Sequence, residues 1–502
     1  MRRVVGVAFL VGMSLPLSFV ARDARAQATP VPAQSPAPPT GADTTPLPVP
    51  SDLTQAHPGG ITSAQVGDRA AATSWTAKAN EETLRGAAAL VDQALASFLP
   101  RLSGTAKYTR LSNFTPPSIS FLTQAQATEL GLPPAAAATL SQGFAFPLVL
   151  DNYLLQASIN VPISDYLVRL DQAYTAATAS VDAARWDVVS ARATSAANGR
   201  VAYYTWLRAR GGVIVAVQAL NDQKTHLRDA RNQFNVGNAS KADVLRAETA
   251  AASAEYALEQ AKNLADLSEK QLRVAIHVPD GTALSPGEDL DAPVVPVQGN
   301  VQALTVEAMA ARPEIKSADA NAESIRKQAD IARAGRFPNL SAFGDAIYAD
   351  PNPRYFPQRT ATQGPIWFPT WDVGAQLTWS PNDVLINGAS AADLDSKAAN
   401  IEANKNVVRD NIDVEVTQTL QAVRLADFGI ASSTRELASA DEAYRVAREL
   451  FNNGRGTSTT LTDAETDLTR ARLDLLNSKA DARIARIQLE HAVGRDAKPA
   501  PR

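Results

Sequence analysis

The sequence predicts a mainly helical chain with a small β part, built as two copies of one unit. Three observations predict it. Four short segments alternate apolar and polar residues. Long Ala-rich segments repeat apolar residues every seven positions. The same order of segments occurs twice.

The bulk properties set the frame. The chain has 502 residues, 45% hydrophobic and 20% charged, close to globular averages. A net charge of -4 leaves no basic excess for binding nucleic acid. Cysteine is absent, which excludes disulfides, thiolate metal sites, cysteine nucleophiles and a lipid attached through cysteine. His57, His226, His277 and His491 lie far apart without ligand spacing, and read as ordinary surface or interface residues. There is no Gly-rich phosphate loop and no nucleophile–base set, so neither an enzyme nor a cofactor site is expected.

The N-terminus reads as a targeting segment. Arg2 and Arg3 precede an apolar run from Val4 to Val20, and Ala24-Arg25-Ala26 offers a small-x-small cleavage site. Residues 1–26 are therefore expected to be a signal peptide. Residues 27–60, rich in Pro, Thr, Ala and Ser, read as a disordered leader. No later stretch reaches 18 apolar residues, so any membrane crossing must be made by strands.

The duplication orders the rest. Phe98-Leu99-Pro100-Arg101-Leu102-Ser103 matches Arg336-Phe337-Pro338-Asn339-Leu340-Ser341 at an offset of 238. Phe234-Asn235-Val236-Gly237 matches Phe451-Asn452-Asn453-Gly454 at an offset of 217. The smaller offset follows from a longer loop in the first copy, between Leu111 and Leu150. The expected layout is a first repeat over 61–278, a linker over 279–300, a second repeat over 301–495 and a tail over 496–502. Each repeat runs short helix, strand, loop, strand, long helix, tight break, short helix. The first long helix is expected from Tyr166 to about Val236, or roughly 105 Å at 1.5 Å per residue. The second is expected to be about 65 residues long. In each repeat the two short helices together match the long one in length.

The packing seam is legible too. Leu461, Leu468, Leu475, Ala482 and Leu489 fall seven apart, and Ala464, Ala471, Ser478, Ala485 and Ala492 follow three residues later. Val244, Ala251, Leu258, Ala265 and Leu272 echo them in the first repeat. Small residues in the second row let helix axes approach closely. An ordinary antiparallel bundle shares this pattern.

The expected strands cover Leu102–Thr109, Tyr153–Asn160, Leu340–Tyr348 and Trp371–Ser380. Trp371 and Trp379 bound the apolar face of the fourth, and Tyr108, Tyr153 and Tyr348 fall at strand ends. Such aromatics suit the rims of an outer-membrane barrel, with polar opposite faces lining a lumen. Four strands cannot close a barrel, whereas three chains would supply twelve. Two soluble hairpins capping a bundle are the alternative.

The duplicated Phe-x-x-Gly breaks carry a resemblance. So do Ser240-Lys241-Ala242-Asp243-Val244-Leu245, Ala311-Arg312-Pro313-Glu314-Ile315 and the two Pro-x-Leu-Ser strand entries. Together they resemble the TolC-type outer-membrane efflux protein family, or outer membrane factors, over about Ser63 to Arg495. The resemblance implies a homotrimer with a twelve-stranded barrel in the outer membrane of a Gram-negative bacterium and a twelve-helix periplasmic tube. It implies a channel subunit of a tripartite efflux pump or type I secretion system. Its partners would be a periplasmic adaptor (membrane fusion) protein and an inner-membrane transporter.

By the same resemblance, the breaks at Gly237 and Gly454 are the periplasmic tip. Phe234, Val244, Phe451 and Leu461 beside them would dock the adaptor, and acidic rings would gate the entrance. Asp243 and Asp463 match the family's acids. Thr460 stands where a further acid is expected, and Gly456, with Arg455 beside it, stands where a latching arginine is expected. From the residues alone, both acids also read as helix caps, Ser240 with Asp243 and Thr460 with Asp463. A periplasmic coiled-coil scaffold without a pore is the competing function.

Overall fold

A computed structural model describes residues 46–48, 55–113, 122–141, 149–352, 354–355 and 366–497. The expected signal peptide, most of the leader and residues 498–502 lie outside the described residues. In chain order the elements are α1 (Ser63–Thr73), α2 (Trp75–Ala96), β1 (Arg101–Arg110), α3 (Gln124–Glu129) and α4 (Pro134–Ser141). Then come β2 (Asp151–Val161), α5 (Ile163–Val168), α6 (Leu170–Asn235) and α7 (Lys241–Ala275). The second copy has α8 (Val301–Ala311), α9 (Pro313–Ala334), β3 (Asn339–Asp350), β4 (Phe368–Thr378), α10 (Pro381–Asn452) and α11 (Ser458–Val493).

The duplication extends to details that the residue pattern hides. The first short helix of each copy is broken into pieces of 11 and 22 residues. At the first break, Ser74 caps the new helix by accepting from the Ala77 N–H at 3.2 Å. At the second, Pro313 opens the new helix, where its missing N–H costs nothing. The long helices differ from expectation at their starts. The first is interrupted at Arg169, whose φ of -116° departs from the ideal helical value, so α5 is separate from α6. The second spans 72 residues rather than about 65, and Pro381, three residues past the end of β4, opens it. The long loop of the first copy contains two short helices, α3 and α4.

Long and short helices run side by side. In the first copy α6 packs against α7, α1 and α2; in the second, α10 packs against α11, α9 and α8. The copies are joined through α6, which also packs against α9 and α11. Two matching cores sit where the helix breaks meet the ends of α7 and α11. One gathers Val66, Tyr203, Trp206, Leu207, Leu272 and Ile276. The other gathers Leu304, Ile315, Ile412, Val416, Leu420 and Leu489. The heptad rows face inward: Leu461, Leu468, Ala482, Leu489, Ala251, Leu258 and Leu272 are buried. The linker is tied down beside the first core. Glu288 accepts from the Ser63 N–H at 2.7 Å and from the Tyr204 hydroxyl at 2.5 Å. The end of the leader joins it, as His57 N–H donates to the Pro286 carbonyl at 2.8 Å.

The strands form one antiparallel sheet in the order β1-β2-β3-β4. The register aligns the apolar rows. Leu102 lies opposite Ile159, Ile159 opposite Gly344 and Gly344 opposite Val373. Because side chains alternate along a strand, one face collects the apolar positions and the other the polar ones. Among the described residues no helix is long and apolar enough to cross a membrane.

Candidate functional site: the hairpin tips and the apolar strand face

The two helix reversals are made by the same hydrogen bonds. At the first, Gly237 N–H donates to the Phe234 carbonyl at 3.0 Å and Asn238 N–H to Gln233 at 2.9 Å. At the second, Gly454 donates to Phe451 at 3.0 Å and Arg455 to Leu450 at 2.8 Å. This is the Schellman ending, which requires a left-handed residue, and the glycines have φ of +80° and +67°. The hairpins lie together: the Gln233 amide donates to the Asn452 carbonyl at 2.8 Å, and Arg472 pairs with Asp222 at 2.8 Å. Phe234 is exposed and Val244 half-buried, whereas Phe451 and Leu461 are buried.

The helices that leave the turns are capped by different residues. Ser240 caps α7, accepting from the Asp243 N–H at 3.2 Å, and Asp243 accepts from the Ser240 N–H at 3.0 Å and its hydroxyl at 2.7 Å. Those bonds, with Arg246 nearby, hold the Asp243 carboxyl below the usual carboxylate range. The expected Thr460–Asp463 cap is not formed. Thr457 reaches the free N–H groups first, accepting from the Thr460 N–H at 3.1 Å. Asp463 lies further into α11, out of reach of the helix end, and is exposed. It lines a groove between α10 and α11 with Glu436, Thr460, Asp467 and Arg470. Arg455 is exposed. At Gly456 a Cβ would meet the Phe451 N atom at 3.0 Å and the Leu450 Cβ at 3.1 Å. The turn is too tight there for an arginine without movement of the backbone.

One part of the tip escaped the sequence reading. His226, read as a surface or interface residue, is 1% exposed in the seam between α6 and α11. Its Nδ1 lies 3.0 Å from Glu465 Oε2 and its Nε2 lies 3.3 Å from Ser458 Oγ. The Phe451 ring packs edge-on against it at 5.3 Å. A signal was present: Glu465 falls four residues after Leu461 and three before Leu468, inside their apolar stripe. The other histidines do make ordinary contacts, His277 with Thr73 at 3.0 Å and His491 with Asp496 at 2.7 Å.

The apolar strand face is open. Leu102, Trp371, Val373 and Leu377 are each more than two-thirds exposed. At the loop end the aromatic rings of Tyr108, Tyr153, Trp367 and Tyr348 form a chain, with centroids 5.1, 5.7 and 4.9 Å apart. Trp367, just before β4, was not singled out from the sequence. Trp371 lies further in, opposite Ala346. Trp379 lies one residue beyond β4, and its indole N–H donates to the Arg336 carbonyl at 3.3 Å. On the polar face Asp345 accepts from the Gln156 amide at 2.9 Å and from the Ser158 hydroxyl, and lies opposite Asp372.

Known structures share this architecture. The fold matches the outer-membrane channel OprN with a TM-score of 0.69 at 15% identity, over 90% of this chain and 99% of that one. It matches CusC with a TM-score of 0.70 at 16% identity, over 92% and 100%. It matches the Campylobacter jejuni CmeC outer membrane channel with a TM-score of 0.65 at 16% identity, over 88% and 90%. No curated protein sequence matches the chain. At such identities these structures speak for the fold alone. The sequence profile described as outer membrane efflux protein covers residues 68–276 and 304–495, nearly all of both copies of the repeat, each with its helix reversal inside the matched range. On that ground the chain belongs to the outer membrane efflux protein family.

Proposed function

We propose that three copies of this chain form a water-filled duct that carries solutes passively across the outer membrane of a Gram-negative bacterium. Twelve strands close into a barrel, and the helices continue it as a periplasmic tube. A periplasmic adaptor docks at the tips, and an inner-membrane transporter supplies the energy. The carrying observation is a sheet of four strands whose edges, β1 and β4, have no strand partner among the described residues, and which exposes one apolar face. An open apolar sheet is unstable in water or lipid until its edges pair and its face meets hydrocarbon.

The named relatives support the reading, since OprN and CmeC are described as outer-membrane channels. Asp463, exposed and not engaged in a cap, is assigned to the cation-selective entrance. Thr460 and Arg455 stand beside it, and Asp243 is assigned a capping role first. Tyr108, Tyr153, Tyr348, Trp371 and Trp379, joined by Trp367, form the interfacial aromatics.

The test is extraction in detergent, imaging and planar-bilayer recording of the full chain. A ring of three subunits that conducts cations in preference to anions is expected. A single water-soluble polypeptide would overturn the reading in favour of a scaffold.

A further inference from the structure

We propose that the His226–Glu465–Ser458 cluster is a proton-linked switch: the α10–α11 hairpin stays closed on α6 while the cluster holds one proton, and loosens when that proton leaves. The inference rests on the channel reading and adds a means of control to it.

The cluster crosses a seam. His226 belongs to the first hairpin, and Phe451, Ser458 and Glu465 belong to the second. His226, Ser458 and Glu465 are 1%, 3% and 2% exposed. The order serine–imidazole–carboxylate is that of a hydrolytic relay. Here it is sealed, so no substrate reaches the hydroxyl, and holding a proton is the chemistry left to it. One oxygen of Glu465 is engaged by His226; the other, Oε1, is buried beside the Gln223 side chain. Such a carboxyl is tolerated when its charge is matched or neutralised and is costly otherwise.

The surrounding charges are largely matched among themselves. On α6, Asp222 pairs with Arg472 of α11 at 2.8 Å, and Asp229 approaches Arg448 of α10 at 3.5 Å. Lys224 of α6 is also buried and engaged. On α7, Asp243 pairs with Arg246 at 3.2 Å, and Glu248 with Arg231 of α6 at 3.6 Å. Tyr444 of α10 is pushed up to about 12 by burial and stays neutral. Burial, with the Asp222 charge adding to it and His226 opposing, pushes the Glu465 carboxyl above its usual range.

The sign follows. A group whose proton affinity is raised in the packed state stabilises that state at low pH, and the stabilisation is lost as pH rises through the raised value. In the closed tip the buried Glu465 carboxyl keeps its proton against the His226 ring. Once the hairpin lifts and the Glu465 carboxyl meets neutral or alkaline water, it releases that one proton. Opening therefore releases a proton from each subunit and is favoured as pH rises.

The experiment is bilayer recording of the full-length trimer across pH 6 to 9. The open fraction of the wild type is expected to rise with pH, by at most about tenfold per pH unit for each subunit's proton. Glu465→Gln cannot ionise, so its curve is expected to be flat and closed. Ser458→Ala removes the Nε2 partner and is expected to shift the curve to lower pH. Assembly of both variants is checked by their trimer band. A wild-type slope retained in Glu465→Gln, or an unshifted Ser458→Ala curve where the glutamine variant does not assemble, overturns the switch alone. A wild type that never conducts overturns the channel reading, and the switch with it.

Discussion

The two tips share a backbone and differ in side chains. Both helices end in the same pair of hydrogen bonds around a left-handed glycine. After the turn they part. The first hairpin places an acid, Asp243, in its cap and leaves Val244 half-buried. The second caps with Thr457, buries Ser458, Leu461 and Glu465, and leaves its acid Asp463 in the open groove. A duplicated turn can thus keep its hydrogen bonds while its side chains take different work. The first tip is arranged for its own stability; the second for contact with α6 and for charge at the surface.

The largest expected difference is in packing. Leu461→Ala should cost about 2–5 kcal/mol, as for other buried leucines, and the equivalent Val244→Ala less than half of that. Thermal unfolding of the detergent-extracted protein measures both, and equal losses would break the asymmetry. Next come the turns. Gly237→Ala and Gly454→Ala meet no atom within 4 Å, so each should cost about 1–2 kcal/mol from the left-handed backbone alone. A clear inequality between them would show that the turns are not equivalent.

The caps come third. Ser240→Ala and Thr457→Ala should each cost about 1 kcal/mol. They separate with pH. The lowered Asp243 carboxyl contributes stability that is present above the ordinary carboxylate range and is lost as pH falls through its lowered value. Asp243→Ala should therefore lower the melting temperature at pH 7 and have little effect in strong acid. Thr460→Ala should show no such dependence. The smallest stability effect belongs to Asp463→Ala, which leaves the melting curve in place while lowering cation preference in reversal-potential measurements. Unchanged preference would remove Asp463 from the entrance.

Much of this was legible in the residues. The duplication, the four strands, the heptad rows and the two turns are local patterns, and each is written in spacing or in a residue type that the backbone demands. Gly237 and Gly454 could be read because a left-handed helix ending favours glycine. The strand faces could be read because alternation survives in the sequence even where no partner strand is known. The Thr460–Asp463 cap misled because threonine and aspartate at this spacing do make caps, and Thr457 stands three residues nearer the turn. Trp367 lies outside an alternating run and gave no periodic signal.

The sequence by itself determined which segments are helix and strand, where the chain reverses and which face of each element is apolar. These follow from nearest-neighbour chemistry along one chain. Only the tertiary structure decided that His226 and Glu465, 239 residues apart, meet in a sealed seam. It also decided that of two similar acids one is held in a cap and the other is exposed. Burial and pairing are properties of neighbours in space. A carboxylate reads the same in the sequence whether its environment is water, a helix end or an imidazole.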